Sequence, residues 1–277
     1  MMNTRQKCLA HFLKRSGYCS KMKLSKVFFL MSKDKSLTKF KFYGFVPYKF
    51  GPYSFELFHD LDMLKREGMI ESDDTNIKFI TGDIELQEDT MNMVDFFFDE
   101  TKTMDDNDMI DFTYDKYPEY TIFSEIKKKQ KYTRDETGIT TIGYEGLSID
   151  EFMMKLIDAK VQVLVDVRNN PWSMKYGFTG KSLKILCGKL EIEYLGLPEI
   201  GIPSELRKNL KTHGDYHALF QRYRKFISKK ENELDMLLEL GREKKIALMC
   251  FEKDPGMCHR TVLAEELNRR EKGVVIN

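Results

Sequence analysis

The sequence predicts an α/β chain in which a doubly wound, mostly parallel sheet domain is preceded by a smaller winged helix-turn-helix domain. Three observations carry this. The C-terminal half alternates short apolar runs, such as 161–167 and 246–250, with helical patterns, as parallel strands joined by crossover helices require. The first eighty residues instead show three helical patterns and then two short alternating runs. Between the halves, residues 127–134 are charged and poor in apolar side chains, and Gly138 follows. The expected organisation is a winged-helix-like basic domain with an acidic helical extension over 1–125, a linker over 126–137, and an α/β domain over 138–277.

Residues 4–13 place Cys8, Leu9, Phe12 and Leu13 at helical spacing, and residues 23–31 do the same with Leu24, Val27, Phe28, Leu30 and Met31. A loop over 44–51 follows. Ser54 is placed as the N-cap of a third helix carrying Phe55, Leu57, Phe58, Leu61 and Leu64, which Gly68 ends. Residues 69–71 and 77–80 then alternate as two strands around the polar turn 73–76. In a winged helix-turn-helix the third helix is the candidate reader of the major groove. Here it bears Glu56, Asp60 and Asp62, which disfavour phosphates, while the positive charge lies on Lys21, Lys23, Lys26 and the run 33–41.

Residues 83–120 space Met91, Val94, Phe97 and Phe98 as on one helix and open another at Met109, Ile110 and Phe112. Two solvated helices packed on the wing are expected; an acidic strip that mimics DNA or shields the basic block is the sharper alternative. After the linker, strands are expected at 139–142, 161–167, 191–195 and 246–250, with 274–276 as a last edge strand. Ser148 caps a helix over 149–157, and Thr179 or Gly180 opens one over 181–190. One long or two short helices cover 216–240, and another pattern covers 262–267.

At 277 residues and 32.7 kDa the chain is long enough for two real cores. No apolar run reaches membrane-spanning length and the start shows no signal-peptide pattern, so a cytoplasmic location with no membrane partner is expected. The five cysteines are odd in number and scattered, which suits reduced thiols; none pairs as C-x-x-C, which argues against a structural zinc site. The formal charge of +1 conceals an asymmetry. Residues 1–70 hold fourteen Lys or Arg against five Asp or Glu, and residues 71–120 hold three against sixteen. A basic first block is the footprint of a phosphate-backbone binder, so DNA is the expected partner.

Three strand ends carry polar residues that a parallel sheet brings to its carboxyl edge, where such sheets bind ligands. They are Gly143-Tyr144-Glu145-Gly146, the segment from Asp166 through Arg168, Asn169 and Asn170 to Pro171, and the segment from Glu252 through Lys253, Cys258 and His259 to Arg260. Asp166 reads either structurally, as a helix cap or the partner of Arg168, or as a carboxylate that orients water or stabilises a developing cation. Glu252 has the same two readings, and Glu145 is a third carboxylate. His259 reads as a turn cap or a proton donor. Arg168, Arg260 and Lys253 read as ion-pair partners or phosphate ligands. Cys258 precedes a helix, where a thiolate nucleophile would be stabilised, whereas Cys250, inside an apolar strand, reads as packing; as zinc ligands, Cys258 and His259 would need two more from elsewhere. Trp172, Tyr176 and Phe178 sit in a polar, basic loop and read either as a lid over the core or as stacking surfaces for exposed bases. Tyr144 and Asn169 complete the expected substrate-binding set. His213, Tyr216 and His217 form a second loop that would face the same pocket.

Thr141-Ile142-Gly143-Tyr144, the run Leu164-Val165-Asp166-Val167-Arg168 with Pro171 and Ser173, Leu197-Pro198-Glu199-Ile200-Gly201, and Cys250-x-Glu252 with Cys258-His259-Arg260 together resemble the domain of unknown function 488 family, from residue 139 to the C-terminus. The resemblance implies that Asp166, Arg168, Cys250, Glu252, Cys258, His259 and Arg260 occupy the family's shared positions, and it implies no established reaction. Tyr144-Glu145-Gly146 departs from the family's pattern, where many members have His or Tyr followed by Ser, which leaves the role of Glu145 open. Tyr48-Lys49-Phe50-Gly51-Pro52-Tyr53-Ser54 resembles the loop before the third helix in winged-helix and toxin-antitoxin-associated domains of prokaryotes.

These readings make the expected function that of a DNA-acting enzyme, a glycosylase cleaving the N-glycosidic bond of a modified or damaged base, with prokaryotic defence against foreign DNA as its setting. Asp166, Glu252, His259 and Glu145 are the expected catalytic groups, and no metal or other cofactor is called for. The alternatives are a nuclease holding Mg²⁺ on Asp166 and Glu252, a non-enzymatic DNA-binding regulator with a ligand-sensing α/β domain, and a thiol enzyme built on Cys258.

Overall fold

The computed structural model describes residues 2–34, 40–203, 206 and 213–275. Residues 35–39 of the basic run, Ile276 of the expected last strand and the side chain of His213 lie outside the described set. The chain separates into two compact units, Met1–Tyr132 and Thr133–Asn277. The charged stretch between the halves is tied down from both ends. The Lys129 backbone N–H donates to Thr121 Oγ1 at 2.9 Å in the first unit, and Arg134 donates to the carbonyls of Leu190 and Glu191, both at 2.8 Å, in the second.

The first unit opens with α1 (Thr4–Ser16), capped reciprocally: the Asn3 side chain accepts from the Gln6 N–H and the Gln6 side chain accepts from the Asn3 N–H. Then come β1 (Tyr18–Ser20) and α2 (Lys21–Ser32), capped by Ser20. The expected loop 44–51 is instead largely a hairpin, β2 (Val46–Tyr48) against β3 (Gly51–Tyr53), with Gly51 at φ +83°. Ser54 caps α3 (Phe55–Arg66) as its sequence position predicts. The strands β4 (Ile70–Ser72) and β5 (Asn76–Phe79) pair antiparallel, and β5 also pairs with β1, giving the order β1-β5-β4. The core joins Leu9, Phe12 and Leu13 of α1 to Leu24, Val27 and Phe28 of α2 and Leu57 and Leu61 of α3.

Three expectations about charge in this unit change. The acidity of α3 is largely turned inward: Asp60, 1% exposed, accepts from Arg5, Gln6 and Tyr43 at 2.8–3.0 Å, and Glu56 pairs with Arg5. Asp62, Lys65 and Arg66 are what α3 exposes. The acidic extension, α4 (Glu88–Thr101) and α5 (Asp106–Lys116), rests on α1 and α2 and not on the β4–β5 hairpin, because Val94 and Met109 reach the core there and Asp95 pairs with His11 and Arg15. The lysines of α2 are occupied. Lys23 donates to the carbonyls of Lys102 and Met104, and Lys26 is buried with its ammonium on the carbonyls of Phe50 and Pro52.

The second unit is built on four parallel strands, β6 (Gly138–Gly143), β7 (Val163–Asp166), β8 (Glu193–Gly196) and β9 (Lys245–Cys250), in the order β6-β9-β7-β8. The helices between them are α6 (Ile149–Asp158), α7 (Gly180–Lys189), α8 (His213–Ile227) and α9 (Glu231–Glu243), and α10 (His259–Arg270) follows β9. Every residue of β7 is buried, Val163 and Val165 in the cluster shared with α8, α9 and α10, and Leu164 on the opposite side as strand alternation demands. The expected last strand is a single parallel bridge from Val275 to Ile139. His213, Tyr216 and His217, expected in a loop, are in α8. No helix among the described residues is long and apolar enough to cross a membrane.

Register is what positions the site. Gly143 pairs with Cys250, and Asp166 pairs with both Met249 and Gly196, so the strands end level. The residues that follow them, Tyr144, Val167-Arg168 and Phe251, therefore emerge side by side.

Candidate functional site at the carboxyl edge of the parallel sheet

Asp166, the last residue of β7, is 1% exposed and accepts four hydrogen bonds. Oδ1 takes the Arg168 N–H at 3.1 Å and its Nε–H at 2.8 Å; Oδ2 takes Arg168 Nη2 at 2.5 Å and the Tyr194 hydroxyl at 2.8 Å. A carboxylate offers about four lone-pair sites, so this one has none left for a water or a Mg²⁺ ion. Of the two readings open for Asp166, the geometry is that of the partner of Arg168. Burial works against the charge on Arg168, but the bonds to Asp166 and Tyr144 outweigh it and its pKa moves up. Burial, then Asp166, raises the Tyr194 hydroxyl as well.

Arg168 Nη1 donates to the Tyr144 hydroxyl at 2.9 Å, and the Tyr144 ring is stacked on Phe178 at 4.3 Å. Phe178 is fully buried and so belongs to the core and not to a stacking surface. Above this layer is an open cleft of about 330 Å³ lined by Tyr144, Arg168, Asn169, Asn170, Trp172, Ser173, Met174, Ile202 and Phe251. Trp172 is 64% and Phe251 44% exposed, and Tyr176 nearby in sequence is 38% exposed. Asn169 Nδ2 donates to the Pro198 carbonyl at 3.3 Å, which pins one side of the rim. The sequence singled out Trp172 but not Phe251, whose alternation out of β9 is the signal that could have found it.

Behind Phe251 lies a second cluster. His259 Nε2 is 3.1 Å from the Val167 carbonyl, which can only accept, so in the neutral ring Nε2 carries the hydrogen and Nδ1 presents its lone pair. Nδ1 faces Cys250 Sγ at 3.5 Å, and Cys250 Sγ is 3.2 Å from Glu252 Oε2. Cys250 Sγ, Cys258 Sγ and a ring nitrogen of His259 all lie within 4.8 Å of one another, and the three residues are buried. The hydrogen bond from Cys258 draws the Cys250 thiol pKa down, with His259 adding to it and burial opposing it. Burial first, then Cys250, pushes Cys258 up, and burial likewise raises Glu252. The sequence offered Cys258 as a candidate nucleophile; in the structure it is the Cys250 thiol whose pKa is drawn down, by the hydrogen bond from Cys258, while burial and then Cys250 push Cys258 up.

Arg260, expected to hold a phosphate, is 2% exposed and donates to the carbonyls of Glu252 and Lys253, stapling the turn between β9 and α10. Glu145 is exposed and accepts from the Lys253 N–H at 2.9 Å, tying the loop after β6 to the same turn. Lys253 keeps an exposed side chain. The turn comes so close to β6 that a Cβ on Gly143 would stand 1.9 Å from the Glu252 carbonyl oxygen. Gly143→Ala is therefore expected to lower the unfolding free energy by roughly 1–3 kcal/mol in urea denaturation. Gly188→Ala, where a Cβ meets nothing within 4 Å, is the control and is expected to cost nothing.

Residues 148–267 match the family model described as Domain of unknown function DUF488. The second unit is similar to that family. The match takes in Asp166, Arg168, Cys250, Glu252, Cys258, His259 and Arg260, but neither Tyr144 nor Glu145, and it does not reach the first unit. No curated protein and no solved structure matches the chain.

Proposed function

We propose that the chain is a DNA-acting hydrolase whose second unit receives an unstacked base in the cleft beside Arg168, and that the reaction is cleavage of an N-glycosidic bond. The observation that carries this reading is the pairing of the exposed rings of Trp172 and Phe251 with a buried, oriented guanidinium in one open cleft. An extruded base needs flat apolar faces to replace its lost stacking and a donor for its polar edge. Arg168 spends three of its five N–H donors on Asp166 and Tyr144, and so can still donate to a ligand without losing its position. With Asp166 saturated, Glu145, exposed after β6, is the carboxylate proposed to serve the cleavage. The Mg²⁺-nuclease alternative loses its first ligand for the same reason.

The first unit supports contact with DNA through its element order: three helices, a hairpin after the third, and β1 completing the sheet, as in a winged helix-turn-helix. Lys65 and Arg66 at the end of α3 are exposed cations suited to the phosphate backbone. A setting in prokaryotic defence against foreign DNA is part of this proposal.

The test is incubation of the full chain with base-modified and unmodified phage DNA in EDTA, followed by alkali. Strand breaks that appear only after alkali are the expected result, and Trp172→Ala should reduce them about tenfold, the equivalent of a lost base-stacking contact of ~1–3 kcal/mol. Breaks that need Mg²⁺ and no alkali would favour a nuclease. Tight binding with no product under either condition would favour a regulator and end the enzymatic reading.

A further inference from the structure

We propose that Cys250, Cys258 and Nδ1 of His259, completed by the Glu252 carboxylate, bind a zinc-class divalent ion that fastens the end of β9 to the start of α10. The proposal goes beyond the reaction suggested above and does not depend on it. Two thiols and an imidazole are the donor set that borderline-soft ions take; the two sulfurs and a ring nitrogen of His259 already lie within 4.8 Å of one another, and Nδ1 is 3.5 Å from Cys250 Sγ. The ring is oriented for the task. Its Nε2–H is held by the Val167 carbonyl, the outer-sphere bond that fixes a metal-ligating histidine with its other nitrogen lone pair turned to the ion. Glu252 Oε2 lies 3.2 Å from Cys250 Sγ and would close on the ion as the fourth donor.

Burial decides between a structural and a catalytic ion. Cys250, Cys258 and His259 are 0%, 1% and 2% exposed, and none of them lines the cleft beside Arg168. A site closed by four protein ligands is the structural kind, whereas a catalytic zinc keeps a position for water. The spacing C-x-E-x₅-C-H also differs from the C-x-x-C pairs by which such sites are usually found, because the donors come from a strand end and a helix start brought together by the turn that Arg260 staples. On binding, the thiol protons leave to solvent and both sulfurs ligate as thiolates. Fixing this turn also fixes Phe251, which shares it.

The experiment titrates the reduced full-length chain with Co²⁺ under argon. One equivalent should bind, with the sulfur-to-cobalt charge-transfer band and intense visible bands of a tetrahedral thiolate centre, and Zn²⁺ should displace it. Cys250→Ser and Cys258→Ser should each lower the charge-transfer intensity about twofold, since each removes one of two thiolates, while Cys187→Ser should leave it unchanged. Should the serine variants fail to fold, X-ray absorption at the zinc edge of the wild-type chain answers the same question, two sulfurs at about 2.3 Å with one nearer nitrogen being the expected shell. A folded wild-type chain that gives no charge-transfer band, a band that survives undiminished in both serine variants, or a zinc shell without sulfur would each overturn the site.

Discussion

Arg168→Ala is expected to lower the stability of the second unit by about 3–5 kcal/mol, the cost of removing one partner from a buried ion pair. The substitution leaves the Asp166 carboxylate, 1% exposed, with only the backbone N–H of residue 168 and the Tyr194 hydroxyl as donors. The loss is therefore mostly the penalty of an uncompensated charge, and a second change that removes that charge should return part of it. Asp166→Asn on the Arg168→Ala background is expected to be less destabilising than the sum of the two single changes, a coupling that a double-mutant cycle in urea reads directly. Arg168→Lys should recover little, since one ammonium cannot bond both carboxylate oxygens and Tyr144 together. Trp172, the chain's single tryptophan, lies on the adjoining rim and reports the transition by fluorescence alongside far-UV circular dichroism. An Arg168→Ala chain within about 0.5 kcal/mol of wild type would mean that the pair holds nothing together, and would return Asp166 to the list of carboxylates available for chemistry.

That outcome matters because the placement of Asp166 was legible in the sequence and its burial was not. The strands β7 and β9 announce themselves because a parallel strand covered on both faces must be apolar at consecutive positions, as in 163–165 and 246–250, and β6 shows itself by its β-branched run 139–142. Once they are parallel, their carboxyl ends lie together, and Tyr144, Asp166 and Cys250 follow as neighbours. What closes over those ends comes from residues with no pattern of their own. Tyr194 reaches Asp166 from β8, Phe178 stacks on Tyr144 from an irregular loop, and α10 starts at His259, three residues before its apolar periodicity becomes visible. Cys250 was read as packing because its apolar strand gives no hint of the cysteine eight residues on that the turn folds back against it. In the first unit, β1 was missed because three residues cannot display alternation, and its pairing with β5 is visible only in three dimensions. The inward turn of Asp60 was missed because its partners Arg5 and Tyr43 are remote in sequence and Gln6 carries no charge to announce it.

Lys26 gives the largest expected pH effect. Its ammonium is buried against the carbonyls of Phe50 and Pro52, and desolvation lowers its pKa from 10.5 to about 7. The sign follows from proton counts. Below pH 7 the lysine is charged in both folded and unfolded chains, so the cost of burying the charge bears fully on the fold. Between pH 7 and 10.5 the folded chain has released the proton while the unfolded chain keeps it, so the unfolded state binds more protons and stability rises with pH. Across the whole window the gain is on the order of 5 kcal/mol, at about 1.4 kcal/mol for each unit separating the two values. Lys26→Met keeps the apolar stem and cannot titrate, so other groups cancel in the comparison with wild type. The stability difference, followed by hydrogen exchange of the α2 amides, should move in favour of wild type as pH is raised from 6 to 10. The carbonyls left without the amine add only an offset that does not vary with pH. A difference that stays flat would show that the amine remains charged inside the fold. Either way, a side chain 1% exposed is removed from the cations that could meet a phosphate.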